Sequence, residues 1–359
     1  MSKTYIIAEA GVNHNGSIDL AKNLIEAASK AGADAVKFQA FSADRLASNS
    51  AQMAEYQIKN TGLLEPQINM LKRLELSKDD FIKLKEHCNN YNIVFMCSPF
   101  DMESLQMLVT ELDLQCIKIP SGEITNGPFL LKIGQSMRSV ILSTGMSTLE
   151  EIEQALDVLA YGYLNKATPQ SFDDLINYRN SSEGNRLLKE KVQLLHCTTE
   201  YPAPIKSINL RAMTTMNEAF GLPIGYSDHS EGIAVSIAAV AQGAVIIEKH
   251  LTLDQSMLGP DHKASIEPGL FSEMVLAIRV VEKALGNGQK KPHEIEIKNK
   301  QISRKKLVAR QVIKSGDKLS GQNMTAMRPG DGISPMRFWD LINQPARQKY
   351  IIGEPIRDD

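Results

Sequence analysis

Between residue 5 and about residue 285 the sequence alternates between short β-branched apolar runs and longer amphipathic segments. Eight of the short runs have the length of strands: YIIAEA from Tyr5, DAVKFQ from Asp34, IVFMCS from Ile93, QCIKIP from Gln115, SVILST from Ser139, VQLLHC from Val192, PIGYS from Pro223 and AVIIEKH from Ala244. Eight strand–helix units of this size predict an α/β fold, a single (β/α)8 TIM barrel. A doubly wound open sheet is the alternative, but the first turn, GVNHNG, is not a dinucleotide-binding fingerprint.

The amphipathic segments indicate where helices begin and where the alternation is interrupted. SIDLAKNLIEAASKAG and STLEEIEQALDVLA both predict helices, and Ser147 and Glu150 predict a capping box at the start of the second. One insertion, roughly residues 42–76, follows the second strand, and another, about 160–190, precedes the sixth. Only the first lies on the strand-to-helix side, where barrel active sites form. It either shapes substrate selection or decorates the surface.

The composition changes after Leu285, which predicts a barrel over residues 1–285. Residues 286–302 lack a strong apolar period and predict an exposed linker. Residues 303–359 contain short β-like runs separated by glycine turns. A β-rich domain this small has a limited core, so we expect it to depend on packing against the barrel or a second chain.

The overall charge and the cysteines exclude several classes of protein. With 40 basic and 42 acidic residues the formal net charge is -2, so nothing in it favours nucleic acid or an anionic membrane as a partner. No apolar run has the length of a membrane-spanning helix or a signal-peptide core. The four cysteines, Cys88, Cys97, Cys116 and Cys197, form no C-x-x-C pair and predict reduced core thiols. These features together predict a cytoplasmic protein.

Polar side chains stand at the carboxyl end of every predicted strand, the face on which barrel enzymes build their active sites. In chain order they are Glu9; Lys37 and Gln39; Ser98; Lys118 with Ser121 and Glu123; Ser143; Thr199 and Tyr201; Ser227, Asp228 and His229; and Glu248, Lys249 and His250. A single buried charge is often a structural ion-pair partner, but a set at eight consecutive strand ends predicts an active site. There is no Gly-x-Ser-x-Gly elbow and no Walker loop, so nothing supports a serine nucleophile or nucleotide triphosphate hydrolysis.

The residue types at these strand ends indicate the chemistry. His229 and His250 end neighbouring strands, and two imidazoles with oxygen ligands suit Mn, Fe, Co or Zn, and Mg less well. Lys37 and Lys118 either face a phosphate or carboxylate or form structural salt bridges. Glu9 is either a general base, or water-positioning carboxylate, or the structural partner of one of these lysines.

Arg328 is a candidate outside the predicted barrel. It precedes Pro329 and a Gly-Asp-Gly turn in MRPGDGISP. This loop is either a surface hairpin or a device that projects a guanidinium into an active site elsewhere.

Ten ordered motifs resemble the bacterial sialic acid synthase family, collinearly from Tyr5 to about Ile342. They are AEAGVNHNGS, AVKFQ, SPFD, KIPSGE, LSTGM, HCTTEYPAP, YSDHS, EKHLTLD, GPDH and RPGDGISP. The resemblance implies a TIM barrel followed by an antifreeze-like (SAF) domain, and a domain-swapped homodimer in which that domain caps the other chain's barrel. It also implies a metal-dependent transferase that condenses phosphoenolpyruvate with an N-acyl amino sugar by C–O cleavage.

The resemblance implies a role for each matching residue. His229 and His250 would hold a divalent metal, Mn or Mg, with Co as an alternative. Those holding phosphoenolpyruvate would be Lys37, Ser98, Lys118, Ser121, Ser143 and Ser227. Those holding the sugar would be Gln39, Tyr201, Asp261 and the partner subunit's Arg328. Glu9 would lie beside the reacting carbons, and Glu123, Thr199 and Asp228 complete the predicted substrate-binding set.

The identity of the sugar stays open. Thr199 stands where some relatives have Asn, which alters a sugar contact. N-acetylmannosamine, giving N-acetylneuraminate, is the first expectation, and a 2,4-diacetamido-2,4,6-trideoxymannose, giving a legionaminic acid, is the main alternative; a pseudaminic acid is less favoured. A phosphoenolpyruvate-dependent aldose-phosphate synthase would need further basic residues, and a non-catalytic carbohydrate-binding protein would have no use for the strand-end set.

Overall fold

A computed structural model describes residues 3–176, 178–328 and 330–357 of the 359-residue chain. The chain divides into two compact units, Met1–Asn287 and Gly288–Asp359. The first ends two residues beyond the predicted end of the barrel at residue 285.

Eight parallel strands of the described residues form a nearly closed barrel in the first unit. In chain order, β1 to β8 are Tyr5–Gly11, Ala35–Ala40, Val94–Pro99, Cys116–Ile119, Ser139–Ser143, Val192–Cys197, Ile224–Asp228 and Ile246–His250. Hydrogen bonding joins them in the order β3-β2-β1-β8-β7-β6-β5-β4, so β3 and β4 are the two ends of the ladder. This arrangement confirms the eight predicted strands and the α/β barrel architecture.

Helices α1 to α12 belong to the first unit and connect its strands, and α13 and α14 belong to the second unit. In chain order, α1 to α14 are Ile18–Lys30, Ala43–Leu46, Glu55–Thr61, Gln67–Leu74, Lys78–Asn90, Met102–Thr110, Gly127–Gln135, Leu149–Leu164, Ser182–Lys191, Ala212–Phe220, Ala234–Ala241, Pro268–Leu285, Glu294–Ser303 and Phe338–Leu341. The predicted capping box of α8 is displaced by one residue, since Thr148 caps the helix and the Glu151 carboxylate accepts from its backbone N–H. The Ser147 hydroxyl instead donates to the carbonyl of Gly145.

The pleat of each strand separates two cores. Side chains of one parity pack outward against the helices, as Val36 and Phe38 do on β2, and both are fully buried. Side chains of the other parity face the barrel interior, where an apolar layer fills its amino-terminal end. That layer consists of Ile7, Ala35, Met96, Ile141, Leu195 and Ile246. The carboxyl ends of the same strands are therefore left to carry polar side chains above a closed apolar floor.

The insertion after β2, residues 42–76, folds into the short helices α2, α3 and α4. It has its own apolar cluster, formed by Val12, Phe41, Ala43, Ala47, Met53, Ile68, Met70, Leu71 and Leu74. Because this cluster includes Val12 from the loop after β1, the insertion packs onto the carboxyl-terminal face of the barrel rather than standing away from it.

The second unit has a small sheet and a core of its own. Strand β9, Lys306–Ala309, pairs antiparallel with β10, Met324–Met327. Its core consists of Leu307, Ala309, Ile313, Leu319, Met324, Ile333, Ala346, Tyr350 and Ile356. The segment predicted as an exposed linker contains α13, whose residues are all exposed. Glu294 and Glu296 in the first turn and Lys300 in the last favour this helix without any apolar face, which explains why apolar periodicity missed it.

Among the described residues, no helix combines the length and the apolar character needed to cross a membrane. The four cysteines are free thiols, and Cys88, Cys97 and Cys197 are buried.

Candidate active site

A cavity of about 350 Å³ opens at the carboxyl ends of the barrel strands. Thirteen of the sixteen site residues predicted from the sequence line it: Glu9, Lys37, Gln39, Ser98, Lys118, Ser121, Ser143, Thr199, Tyr201, Ser227, His229, His250 and Asp261. They converge because each lies at, or just beyond, the end of a parallel strand, and all such ends meet at one face of a barrel.

Two lysines and two carboxylates form a buried charge cluster in this cavity. The Nζ of Lys37 lies 2.7 Å from Oε2 of Glu9 and 3.5 Å from Oε2 of Glu248, and the Nζ of Lys118 lies 3.4 Å from Oε1 of Glu248. All four side chains are 5% exposed or less. The cluster is compensated as it stands, so an entering anion can engage the ammonium groups only by competing with the carboxylates.

The environment sets the protonation of these groups in different directions. Burial raises the pKa of Glu9, although the adjacent Lys37 ammonium opposes this. The pKa of Glu248 is lowered to about 2, since the attraction of Lys118 and Lys37 outweighs its burial. Burial lowers the pKa of Lys118, while Glu248 and Glu9 keep that of Lys37 raised. Glu9 is thus the carboxylate of the pair that more readily takes up a proton.

Glu248 stands among the polar strand ends but has no predicted role. The structure makes it the link between Lys37 and Lys118, and it also accepts a hydrogen bond from Ser227 Oγ at 2.8 Å. The sequence does contain a signal that Glu248 faces the cavity. It lies two residues before His250 on β8, and alternate residues of a strand face the same side.

The two predicted metal-binding histidines are close together, with ring centroids 5.4 Å apart. His229 donates from Nδ1 to the carbonyl oxygen of Thr198 at 2.7 Å, which leaves the lone pair on Nε2. Burial lowers the pKa of His229 to about 4 and that of His250 well below its ordinary value, so both rings are neutral. Nδ1 of His250 is buried and has no hydrogen-bond partner in the described part of the chain.

These rings fit a divalent metal that keeps open positions. Neutral imidazole is the form that binds metal, and a backbone carbonyl on the far nitrogen is a usual orienting partner. Among the described residues there is no group of three or more His, Cys, Asp or Glu side chains with the geometry of a metal site. Two protein ligands leave the remaining positions to water or substrate, as a catalytic rather than a structural site requires.

Aromatic rings form a wall beside the histidines. The ring of Tyr201 lies 4.2 Å from that of His229 and 5.6 Å from that of His250, measured between centroids. On its other side the Tyr201 ring lies 5.0 Å from that of Tyr56. Burial raises the pKa of Tyr201 well above its ordinary value, so the phenol stays protonated.

Small polar groups line the opposite side of the cavity. The hydroxyl of Ser121 accepts a hydrogen bond from the backbone N–H of Gly145 at 2.9 Å and lies 3.2 Å from Sγ of Cys197. Lys37 donates to Oγ of Ser98 at 3.3 Å. Cys197 itself lines the cavity, although the sequence predicts it only as a core thiol.

Three predicted site residues do not line the cavity. Asp228 is fully buried outside the cavity lining. It pairs with Lys249 at 3.1 Å and accepts hydrogen bonds from Ser230 and Ser236. The prediction that Asp228 contacts substrate is corrected, because Ser227 faces the cavity and the next residue of a strand must face away.

The two others are Glu123 and Arg328. Glu123 is half-buried and accepts a hydrogen bond from Nδ2 of Asn126 at 2.7 Å, outside the cavity lining, so its substrate-binding role stays a prediction. Arg328 is exposed on the second unit, and Pro329, expected to fix its loop, lies outside the described residues. The role of Arg328 in a partner chain stays a prediction.

The insertion after β2 supplies cavity residues that strand-end reasoning missed. Tyr56 and Gln57 of α3 line the cavity, together with apolar side chains. The apolar side chains of the insertion in the lining are Leu46, Met70, Leu71 and Leu74, and Val12, Phe41 and Phe100 join them from the loops after β1, β2 and β3. Asp261, from the loop after β8, is buried beside them, and burial together with Glu9 raises its pKa to about 7.

Comparison with known proteins identifies the family of this chain. A sequence model of the NeuB family matches residues 24–290 of the chain. The chain is 47% identical to the N,N'-diacetyllegionaminic acid synthase of Campylobacter jejuni over 100% of both chains, and 41% identical to that of Legionella pneumophila over 94% of this chain and 89% of the relative. The crystal structure of the N-acetylneuraminic acid synthetase of Leptospira borgpetersenii superposes with a TM-score of 0.66 and 34% identity, over 83% of this chain and 90% of that one. The chain therefore belongs to the NeuB family, and it is an enzyme, a synthase of nonulosonic acids.

Proposed function

We propose that this enzyme condenses phosphoenolpyruvate with 2,4-diacetamido-2,4,6-trideoxymannose to give N,N'-diacetyllegionaminate and phosphate. The observation that carries the reaction is the convergence of two buried lysines, a carboxylate of raised pKa and two neutral histidines in one cavity. The similarity to two legionaminic acid synthases supports this sugar.

Lys37 and Lys118 bind the phosphate and carboxylate of phosphoenolpyruvate, since they are the cations of the cavity lining. The hydroxyls of Ser98, Ser121 and Ser143 add neutral donors around the same anion. In the free enzyme Glu9 and Glu248 hold the ammonium groups in place, so the anion site is built before substrate arrives.

His229 and His250 hold a divalent metal, Mn or Mg with Co as an alternative. A metal there acts as a Lewis acid on the open-chain aldehyde of the sugar. The fit rests on the neutral state of both rings and on the hydrogen bond to Thr198 that directs Nε2 of His229 away from the backbone.

The methylene carbon of phosphoenolpyruvate attacks the sugar aldehyde, and positive charge develops at the carbon that bears the phosphate. Water adds at this carbon, and Glu9 takes up the proton that the water loses, a role suited to a carboxylate whose pKa burial has raised. This proton passes to the alkoxide that the aldehyde oxygen became when the carbon–carbon bond formed. The tetrahedral intermediate then loses phosphate by cleavage of the C–O bond. Lys37 and Lys118 stabilise the departing phosphate throughout.

The apolar lining supplied by the insertion favours the diacetamido sugar over N-acetylmannosamine. Leu46, Met70, Leu71 and Leu74 offer apolar surface, which suits the methyl group of a 6-deoxy sugar better than a hydroxymethyl group. N-acetylmannosamine remains the second candidate, supported by the similarity to the Leptospira synthetase.

The test is phosphate release by the full chain, stripped of metal by a chelator and reloaded with Mn²⁺. Phosphoenolpyruvate is offered with either sugar, and mass spectrometry identifies the product. We expect kcat/KM to be at least about tenfold higher for the diacetamido sugar and His250→Ala to abolish turnover with both. The reverse preference would assign N-acetylneuraminate synthesis, and no release with either sugar would refute the proposed function.

The homodimer, its antifreeze-like capping domain and the cytoplasmic location stay predictions. The described residues of the second unit form a small antiparallel sheet and an apolar core.

A further inference from the structure

Tyr56 is a cavity residue for which the strand-end pattern gave no sign. It lies on α3, within the insertion, and its ring packs 5.0 Å from that of Tyr201 between centroids. Tyr201 in turn contacts both histidine rings. Among the described aromatic rings, Tyr56 pairs with Tyr201 and with neither histidine, so it lies one ring further from the reacting carbonyl.

The phenol of Tyr56 is set up to donate a hydrogen bond into the cavity. Gln57 accepts from the backbone N–H of Ala54 at 2.9 Å, which fixes its amide, and its Nε2 then donates to the Tyr56 oxygen at 3.4 Å. The phenol is thus used as an acceptor, and none of the described residues accepts its proton. Burial and the nearby Asp261 raise the pKa of Tyr56, so this proton is retained.

The helix that carries Tyr56 is tied to the far wall of the cavity. Asn60, one turn along α3, is buried and donates from Nδ2 to the carbonyl oxygen of Pro260 at 2.7 Å. Pro260 and its neighbour Asp261 both line the cavity. A hydrogen bond between residues 200 positions apart in sequence holds the insertion against the loop after β8, so the phenol is positioned before a sugar binds.

The position of Tyr56 identifies the part of the sugar that it meets. The aldehyde carbon must lie at the histidines, so C4, C5 and C6 extend away from them. The apolar side chains of Leu46, Met70 and Leu71 suit the C6 methyl group. The insertion also adds three polar side chains to the lining, Tyr56, Gln57 and Gln67. Of these, Tyr56 packs against Tyr201, which contacts the histidines, so its phenol is the donor that we place at the neighbouring substituent.

We propose that Tyr56 determines sugar specificity by donating a hydrogen bond to the acetamido carbonyl at C4. This inference rests on the proposed function, because only the diacetamido sugar carries that group. A buried donor left without an acceptor is costly, so the phenol favours this sugar and disfavours one whose C4 substituent does not reach it.

The test compares two sugars that differ only at C4, 2,4-diacetamido-2,4,6-trideoxymannose and 2-acetamido-2,6-dideoxymannose. Wild type and Tyr56→Phe are assayed with saturating phosphoenolpyruvate, and the ratio of kcat/KM for the two sugars is compared. Tyr56→Phe keeps the ring against Tyr201 and removes only the hydroxyl. The ratio does not depend on the active fraction of a preparation, so partial misfolding cannot mimic the effect. The control is Tyr91→Phe, at the end of α5 and outside the cavity lining.

We expect Tyr56→Phe to lower the ratio about fivefold, the effect of losing one hydrogen bond between neutral groups, and Tyr91→Phe to leave it unchanged. An unchanged ratio in Tyr56→Phe, in an enzyme whose wild type prefers the diacetamido sugar, would refute the role of Tyr56 alone and make the residue a packing partner of Tyr201. A wild-type preference for N-acetylmannosamine, measured in parallel, would instead refute the proposed function.

Discussion

Replacing Asp228 with Asn tests whether this carboxylate is the buried ion-pair partner of Lys249 or a group that contacts the substrate. Asp228 and Lys249 pair across β7 and β8, and both side chains are completely buried. Each directly precedes a histidine, His229 or His250, that faces the cavity. Asn keeps the shape of the side chain and an acceptor for Ser230, but it leaves the Lys249 ammonium without a counter-charge.

The expected loss of stability is large. Removing one partner of a buried ion pair costs about 3–5 kcal/mol, because the other charge remains buried. A unit of the size of the barrel unfolds with an entropy of about 0.6 kcal/mol/K, so the thermal midpoint should fall by about 5–8 °C. The double variant Asp228→Asn/Lys249→Met removes both charges and should recover at least half of that fall.

Thermal unfolding followed by circular dichroism gives the midpoint of each variant. The second readout is KM for phosphoenolpyruvate and for the sugar, measured at a temperature where every variant is folded. The reasoning would be refuted by an Asp228→Asn variant whose midpoint matches wild type while KM rises strongly. That result would mean that the carboxylate contacts the substrate, as the sequence predicts, and is not buried against Lys249.

Two further predictions concern the cavity. A Cβ at Gly145 would lie 2.8 Å from Ser121 Oγ and 3.0 Å from Cys197 Sγ, so Gly145→Ala should displace these groups and lower kcat/KM about a hundredfold. The control is Gly127→Ala, whose Cβ meets nothing within 4 Å and which should leave kcat/KM unchanged. Equal effects of the two substitutions would contradict this prediction. Burial raises the pKa of Asp261 to about 7, so its contribution to stability is complete below about pH 4 and is lost as the pH rises through 7. Compared with wild type, Asp261→Asn should therefore gain in thermal midpoint between pH 4 and pH 8, and a constant difference would count against the raised pKa.

The strand positions and the convergence of their polar ends were predictable because both follow from a local pattern. A run such as AVKFQ shows which residues end a strand, and parallel strands in a barrel must end on one face. The same pattern, applied with its period of two, would have avoided one error. On β8 Glu248 and His250 face the cavity and Lys249 faces outward; on β7 Ser227 faces in and Asp228 out.

The contribution of the insertion was not predictable in the same way. Tyr56 and Asn60 act through contacts with Tyr201 and Pro260, which are separated from them by well over a hundred residues. No local period encodes such a contact, since it depends on how the short helices of the insertion fold back over the strand ends. The capping box at Thr148 was also not fully predictable. Ser147 and Thr148 both satisfy the sequence rule for a capping residue, and the geometry of the turn determines which of them caps the helix.

The division between strand ends and insertion separates two tasks within one cavity. Lys37, Lys118 and the histidines lie on strands, or directly after one, whose positions the whole barrel fixes. The groups proposed to bind the anion and the metal therefore cannot move without disturbing the fold. Tyr56 and the apolar side chains around it lie on short helices with a separate apolar cluster, so a substitution there changes the packing of the insertion and leaves the pairing of the barrel strands intact. Enzymes built in this way can change the sugar that they accept while keeping the reaction, and the specificity of this chain is therefore to be sought between residues 42 and 76 before it is sought at the strand ends.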